Sequence, residues 1–144
     1  MKATSTDGGL CRGCFGDAPW CFEDEATEWT DHLLDRVLAG DQIVVPAHWA
    51  MEISNGMLMA LRRGRIQVGR PELFWDTLSF LPIEVEPPLS SQQAKTILSL
   101  CSRHGLTVYD AAYLELAKRR GLALATLDAD LMKAASDEGV PLVK

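Results

Sequence analysis

The sequence predicts a single α/β domain, in which helices cover the faces of a sheet. From Glu23 onward, helical patterns of apolar residues alternate with short aliphatic or β-branched runs. At 144 residues and 47% hydrophobic content, the chain is long enough to bury one continuous core. No repeat, low-complexity tract or linker divides it, so we expect one domain with one core.

The first half of this pattern contains three predicted helices and one strand. Apolar residues at helical spacing predict a helix over residues 25–38, and Gly40 stands where a C-terminal stop belongs. The aliphatic run over residues 42–45 predicts a buried strand. A proline then opens a second helix over residues 46–63, and a third helical segment covers residues 71–80.

The second half repeats the alternation. Alternating apolar and polar residues predict a strand over residues 81–86, which two prolines end. Ser90 and Ser91 offer N-caps for a helix through His104. The last predicted elements are a helix, a strand, a short helix and an edge strand, over residues 106–121, 122–126, 128–136 and 141–143.

Composition limits the classes of function. Twenty acidic against 14 basic side chains give a net charge of -6, which argues against holding nucleic acid by bulk positive charge. No apolar run approaches the ~20 residues of a membrane-spanning helix, and the N-terminus lacks the apolar core of a signal peptide. We therefore expect no membrane segment and a cytoplasmic location, where the four cysteines stay mostly reduced.

Three acidic residues stand at element junctions, where open α/β sheets usually place their sites: Glu52, Asp110 and Asp128. Each has a structural alternative. The spacing of Thr107 and Asp110 is that of a capping box, and Asp128 is placed to cap the last helix. Glu52 shares a helix face with Asn55, although that face could simply be an exposed edge. Taken singly, none of these acids identifies a site.

As a set, the motifs around these acids are more specific. They are a strand, a proline and a helix bearing Glu52-x-x-Asn55, then LTVYDAAYLELA, then LATLD. This combination resembles the PIN-domain nucleases, and most closely the VapC-like toxins of bacterial type II toxin–antitoxin pairs. The resemblance runs from about Trp20 to Val143. It implies a three-layer α/β/α PIN-like domain over residues 20–144, with a mainly parallel central sheet.

The resemblance also implies a chemistry. Glu52, Asp110 and Asp128 would hold Mg²⁺ or Mn²⁺ directly or through water, with Asn55 and Thr126 in support. Asp130 is a weaker candidate on the first turn of the last helix. Clustered carboxylates raise one another's pKa unless a cation neutralises them, and hard cations prefer oxygen ligands. The implied reaction is hydrolysis of RNA phosphodiester bonds, and the implied partners are an RNA substrate, a cognate antitoxin and a second copy of the chain.

Two basic clusters are candidates for RNA contacts. One is Arg62, Arg63 and Arg65, which follow the Glu52 helix, and the other is the run at residues 118–120. The alternative is that these cations complement helix dipoles and stay solvated. His48 and His104 have no spacing that suggests a ligand pair, so packing or surface roles are expected for them.

The N-terminal segment, residues 1–19, departs from the family pattern. A family member begins with an apolar strand ending in aspartate, expected here near Gly13, but two glycines and an arginine make residues 10–17 a poor central strand. Asp7 and Asp17 are the nearest substitutes. Two explanations are open: a frameshift or a wrongly chosen start, or a chain that lacks one metal ligand and a central strand.

Two other classes of function compete with the nuclease. One is a catalytically impaired PIN-like protein that still binds an antitoxin. The other is a zinc protein that uses Cys11, Cys14 and Cys21 with a distant fourth ligand. A single C-x₂-C without a second matching pair is weak support for zinc.

Overall fold

The part of the chain that the structure describes contains a four-stranded parallel sheet. A computed structural model describes residues 9–12 and 35–143. The strands are β1 (Gly9–Arg12), β2 (Gln42–Val45), β3 (Ile83–Val85) and β4 (Ala123–Ala125), and their order in the sheet is β3-β2-β1-β4. All three pairings are parallel, so the carboxyl ends of the four strands lie along one edge. This edge is called the carboxyl edge below.

Five helices complete the described fold: α1 (Trp49–Arg62), α2 (Arg70–Leu78), α3 (Ser91–His104), α4 (Val108–Arg120) and α5 (Ala129–Asp137). Residues 35–38 are also helical, and they are the described end of the helix predicted over residues 25–38. In the part of the chain that the structure describes, no helix combines the length and apolar character that crossing a membrane requires.

The side chains of β2 alternate between two apolar clusters and so define the layers. Val44 packs in a cluster with residues of α3, α4, β4 and α5. Ile43 and Val45 pack on the other face, with Val37, α1 and the end of α2. Because successive strand residues point to opposite faces, a fully buried strand requires a helical layer on each side. The three-layer α/β/α architecture is thus confirmed.

Strand β1 corrects an expectation from the sequence. Gly9–Arg12 forms a central strand, with Cys11 aligned with Val44 on one side and with Leu124 on the other. The prediction that residues 10–17 make a poor central strand is therefore wrong for residues 10–12. The side-chain pattern of this stretch does not indicate a strand, but its backbone pairs with a strand on each side. Such neighbours strongly affect whether a segment forms a strand. Asp7, Gly13 and Asp17 lie outside the described residues.

Other boundaries differ from the predictions by a few residues. Helix α1 begins at Trp49 and not at Pro46, because residues 47–48 form a turn. The predicted edge strand over residues 141–143 is reduced to one parallel bridge between Leu124 and Leu142.

Replacement of Ser90 by alanine is expected to lower the free energy of unfolding by about 1 kcal/mol. Ser90 begins α3 with a complete capping box: its hydroxyl accepts from the Gln93 N–H at 3.2 Å, and the Gln93 side chain accepts from the Ser90 N–H at 2.8 Å. Ser91→Ala, one position inside the helix, is the matched control and should change stability by less than about 0.5 kcal/mol. Equal losses in urea unfolding would contradict the cap assignment.

Candidate active site

The three predicted acids all belong to elements at the carboxyl edge. Glu52 lies in the first turn of α1, which follows β2, and Asp128 caps α5, which follows β4. Asp110 reaches the same edge because the rings of Tyr109 and Tyr113 contact His48, with centroids 5.5 and 5.4 Å apart. The fold therefore brings the first turns of α1, α4 and α5 to one edge of the sheet, as expected for a site in an open α/β domain.

Glu52 is held by a residue of another helix. The Tyr113 hydroxyl donates to Glu52 Oε2 at 2.6 Å, and Nε2 of His48 lies 3.5 Å from the same oxygen. His48 is one turn before Glu52 on the same face, where residues four apart are neighbours. The carboxylate is only partly exposed, and Tyr113 and His48 together fix its orientation.

Asp110 lies at the carboxyl edge and also contacts the N-cap residue of its own helix, Thr107. Thr107 caps α4 as predicted, accepting from the Asp110 N–H at 3.1 Å. Its hydroxyl also donates to Asp110 Oδ2 at 2.7 Å. A carboxylate has about four lone-pair positions, so this bond does not exhaust its capacity as a ligand.

Asp128 is the N-cap of α5, also as predicted. Its Oδ1 accepts from the Leu131 N–H at 2.8 Å, and its own N–H donates to Thr126 Oγ1 at 3.1 Å. Thr126 is buried at the end of β4, so its hydroxyl fixes the turn that carries Asp128 to the edge. Both Asp110 and Asp128 stand at helix N-termini, where the helix dipole stabilises negative charge.

Asp128→Asn is expected to leave the free energy of unfolding within about 0.5 kcal/mol of the unsubstituted chain, whereas Asp128→Ala should lower it by about 1 kcal/mol. Asparagine caps helices about as well as aspartate, but alanine leaves the Leu131 N–H without its partner. Urea unfolding of the two variants checks this. If Asn destabilises as much as Ala, the charge and not the cap holds the helix. If the cap assignment holds, Asp128→Asn removes the charge from the edge without disturbing α5.

The chemical character of these residues fits a hard divalent cation. Carboxylate and hydroxyl oxygens are the donors that Mg²⁺ takes, and Mg²⁺ is commonly held by one or two carboxylates while keeping several waters. Within residues 9–12 and 35–143, no three His, Cys, Asp or Glu side chains are grouped closely enough to hold a metal ion by themselves. A cation at this edge would therefore have to retain water or gain a further ligand.

The sheet order explains why Glu52 and Asp128 are separated. Strand β1 lies between β2 and β4, so the strands that lead to the two acids are two strand spacings, roughly 10 Å, apart. The carboxyl end of β1, at Arg12, lies between them. In sequence the next residue is Gly13, near which the family aspartate is expected from the resemblance, and it lies outside the described residues.

The remaining candidates lie at increasing distance from the edge. Asn55 is exposed one turn after Glu52, and Asp130 is exposed on the first turn of α5. Arg62 is the last residue of α1, ten residues after Glu52, which is about 15 Å along the helix axis. Arg63 and Arg65 follow it on the surface. These arginines are thus placed beside the site and not within it.

The second basic cluster, residues 118–120, is engaged in ion pairs inside the protein. Arg119 contacts Glu86 at 2.9 Å and Glu115 at 2.8 Å, and Arg120 contacts both Glu84 and Glu86 at 2.6 Å. Burial raises the pKa of Glu86, but the hydrogen bonds from Arg120 and Arg119 outweigh it and lower the pKa overall. These pairs favour the structural interpretation of the cluster over phosphate binding.

Sulfur ligands receive no support from the described residues. Cys14 and Cys21 of the zinc hypothesis lie outside them, and Cys11 lies in β1. Cys101 is a free thiol on α3. Burial, and then the negative charge of Asp110, raise the pKa of the Cys101 thiol.

The sequence did not identify Tyr113, and it predicted only a packing or surface role for His48. The signals were present as spacings: His48 and Glu52 are four residues apart on α1, and Asp110 and Tyr113 are three apart on α4. The sequence does not show that these two helices pack together, and it is this packing that joins Tyr113 to Glu52, 61 positions away.

A family model described as "PIN domain" matches residues 19–137, which is most of the chain. The chain belongs to the PIN domain family. The resemblance inferred from its motifs is thus confirmed.

Ribonuclease VapC3 of Pyrobaculum aerophilum is 33% identical to this PIN domain over an 86-residue alignment, which covers 57% of this chain and 63% of that protein. The match spans less than two thirds of that relative. Two solved structures share the fold. PAE2754 from Pyrobaculum aerophilum has a TM-score of 0.61 at 21% identity, over 88% of this chain and 78% of that one. FitAcB from Neisseria gonorrhoeae has a TM-score of 0.63 at 15% identity, over 94% and 96%.

Proposed function

We propose that this PIN domain is a divalent-metal-dependent ribonuclease that hydrolyses RNA phosphodiester bonds as the toxin of a toxin–antitoxin pair. The proposal rests mainly on one observation: Glu52, Asp110 and Asp128 lie at the starts of three separate helices, and these starts lie at the carboxyl edge. Membership of the PIN family and the likeness to a protein named Ribonuclease VapC3 support it.

In this proposal Glu52, Asp110 and Asp128 hold Mg²⁺ or Mn²⁺, directly or through water. When bound, such a cation supplies an activated water and offsets charge on the leaving oxygen. Thr126 keeps Asp128 at the edge through its bond to the Asp128 N–H. Asn55 adds an amide oxygen next to Glu52, and Asp130 has a peripheral part at most.

The RNA must be held without a basic surface, because the net charge of the chain is -6. The N-termini of α4 and α5 face the carboxyl edge, and helix N-termini attract phosphate through their N–H groups and dipoles. Arg62, Arg63 and Arg65 then contact phosphates farther along the strand, about 15 Å from Glu52. Each such contact should add to the salt dependence of binding.

The test is cleavage of a labelled RNA pool by the purified chain, with Mg²⁺, with Mn²⁺, with Ca²⁺ and with a chelator. We expect cleavage with Mg²⁺ or Mn²⁺ and none after chelation. Ca²⁺, which prefers longer bonds and more ligands, should support it poorly. Cleavage that persists in chelator would contradict a metal-dependent site. A site variant purified in the same way controls for contaminating ribonuclease.

A cognate antitoxin, a homodimer and a cytoplasmic location belong to the same proposal. The antitoxin and the homodimer follow from the resemblance to VapC-like toxins, and the cytoplasmic location is the expectation from the sequence. Light scattering of the purified chain tests the dimer, and copurification with the protein encoded beside it tests the antitoxin. A monomer that copurifies with no neighbour would contradict both.

The second candidate is a catalytically impaired PIN domain that acts by binding an antitoxin. Two observations favour it: the described residues contain no three-acid group that could hold a metal, and the first twenty residues contain no Val-x-Asp-x-Ser. This candidate predicts binding of the antitoxin without metal-dependent cleavage. Robust cleavage that depends on Asp110 would reject it.

A further inference from the structure

We propose that Tyr113 is a positioning residue that fixes the Glu52 carboxylate for the cation, an inference that rests on the proposed function. Tyr113 is fully buried, and its hydroxyl donates to Glu52 Oε2 at 2.6 Å. It comes from α4, the helix that also carries Asp110 one turn earlier. A single helix would therefore supply one ligand and orient another.

The contacts of Glu52 are one-sided. Tyr113 Oη and His48 Nε2 both approach Oε2, at 2.6 and 3.5 Å. Within the described part of the chain, no side-chain contact to Oε1 is seen. The His48 ring also packs edge-on against Tyr113 at a centroid distance of 5.4 Å, so the two residues that approach Oε2 contact each other. Because Tyr113 occupies Oε2, the proposal places the cation or its water at Oε1.

This arrangement has a direct thermodynamic consequence. A glutamate side chain has several rotatable bonds, and ordering them opposes ligand binding each time a ligand binds. The Tyr113 hydroxyl orders Glu52 before the cation arrives. Hydrogen bonds that orient metal ligands in this way commonly change metal affinity by about 10- to 100-fold when they are removed.

The competing interpretation is that Glu52 serves Tyr113. A buried tyrosine hydroxyl needs a hydrogen-bond partner, and the bond would then stabilise the fold alone. The two interpretations differ in one measurable quantity. If Tyr113 positions Glu52, its hydroxyl affects cation affinity only while Glu52 is present as a carboxylate.

The experiment measures Mn²⁺ binding to the full chain without RNA, from the electron paramagnetic resonance signal of free Mn²⁺. Tyr113→Phe should weaken Mn²⁺ binding by about tenfold. Tyr109→Phe is the matched control, because Tyr109 lies one turn earlier on α4, is largely exposed, and keeps the ring that contacts His48. This control should bind Mn²⁺ as the unsubstituted chain does. Thermal unfolding verifies that both variants are folded.

A double-mutant cycle with Glu52→Gln separates positioning from folding. In the Glu52→Gln background, where Mn²⁺ binding is already weaker, Tyr113→Phe should weaken it no further. Undiminished weakening in that background, or unchanged Mn²⁺ binding by Tyr113→Phe alone, would overturn the positioning role while leaving the proposed function intact. Absence of Mn²⁺ binding and of RNA cleavage in the unsubstituted chain would overturn both.

Discussion

Asp110→Asn is expected to lower the rate of metal-dependent RNA cleavage by at least about 100-fold, which corresponds to ~2.7 kcal/mol of lost transition-state stabilisation. The substitution is nearly isosteric. The Thr107 hydroxyl, which donates to Asp110 Oδ2 at 2.7 Å, can still donate to an amide oxygen, and the cap of α4 uses the backbone N–H. The fold should therefore persist while the edge loses one negative charge. Initial rates on a labelled RNA with saturating Mg²⁺ provide the measurement.

The matched control is Glu72→Gln. Glu72 is also an acid in the first turn of a helix, α2, but it is exposed and is not one of the proposed ligands. Its substitution removes the same charge from a comparable dipole position, so cleavage should stay within about twofold. An equal loss in both variants would attribute the effect to net charge. Full activity of Asp110→Asn would remove Asp110 from the set of ligands.

Asp110 and Asp128 were predictable because their local patterns are self-contained. Each lies within three residues of its capping partner, so the sequence alone places each carboxylate at the start of a helix. The chemistry assigned to them came from the family resemblance, since a capping acid and a ligand acid look alike in one sequence. Tyr113 was not predictable in this way, because its contact with Glu52 depends on how two distant helices pack.

Strands and helices also differ in whether local sequence or distant contacts determine them. Strand β2 occupies the predicted residues 42–45, because its aliphatic run is buried on both faces. Helix α3 begins at a predicted cap. Strand β1 depends instead on pairing with β2 and β4, which lie more than 30 and 110 residues away in sequence. Such non-local pairing leaves little trace in a four-residue stretch that includes a glycine and an arginine.

A buried carboxylate outside the candidate active site ties three helices together. The Glu138 side chain, 6% exposed, follows α5 directly. It accepts hydrogen bonds from Arg103 and His104 at the end of α3, the latter at 2.8 Å, and from Lys118 on α4. The hydrogen bonds from Lys118, His104 and Arg103, in that order, lower the pKa of Glu138 to about 2 despite its burial.

Glu138→Gln is expected to lower the free energy of unfolding at pH 7 by about 2 kcal/mol, or the melting temperature by roughly 5 °C. Breaking a buried ion pair usually costs more, but Arg103 and Lys118 are half exposed and water screens them. Asp137→Asn is the control: Asp137 is 54% exposed and lies 3.9 Å from the same His104, so its loss should cost less than about 0.5 kcal/mol. Equal losses would mean that general charge, and not the buried contacts, stabilises this corner.

The stabilisation by Glu138 should also depend on pH. The pKa of Glu138 falls from an ordinary value of 4.5 to about 2 on folding, so the unfolded chain binds the proton more tightly. The stabilisation is therefore fully present above about pH 4.5, and it is lost as the pH falls toward 2. The stability difference between the unsubstituted chain and Glu138→Gln should thus be constant from pH 7 to about pH 5 and shrink below it. A difference that stays constant down to pH 3 would show that Glu138 acts through packing and not through its charge.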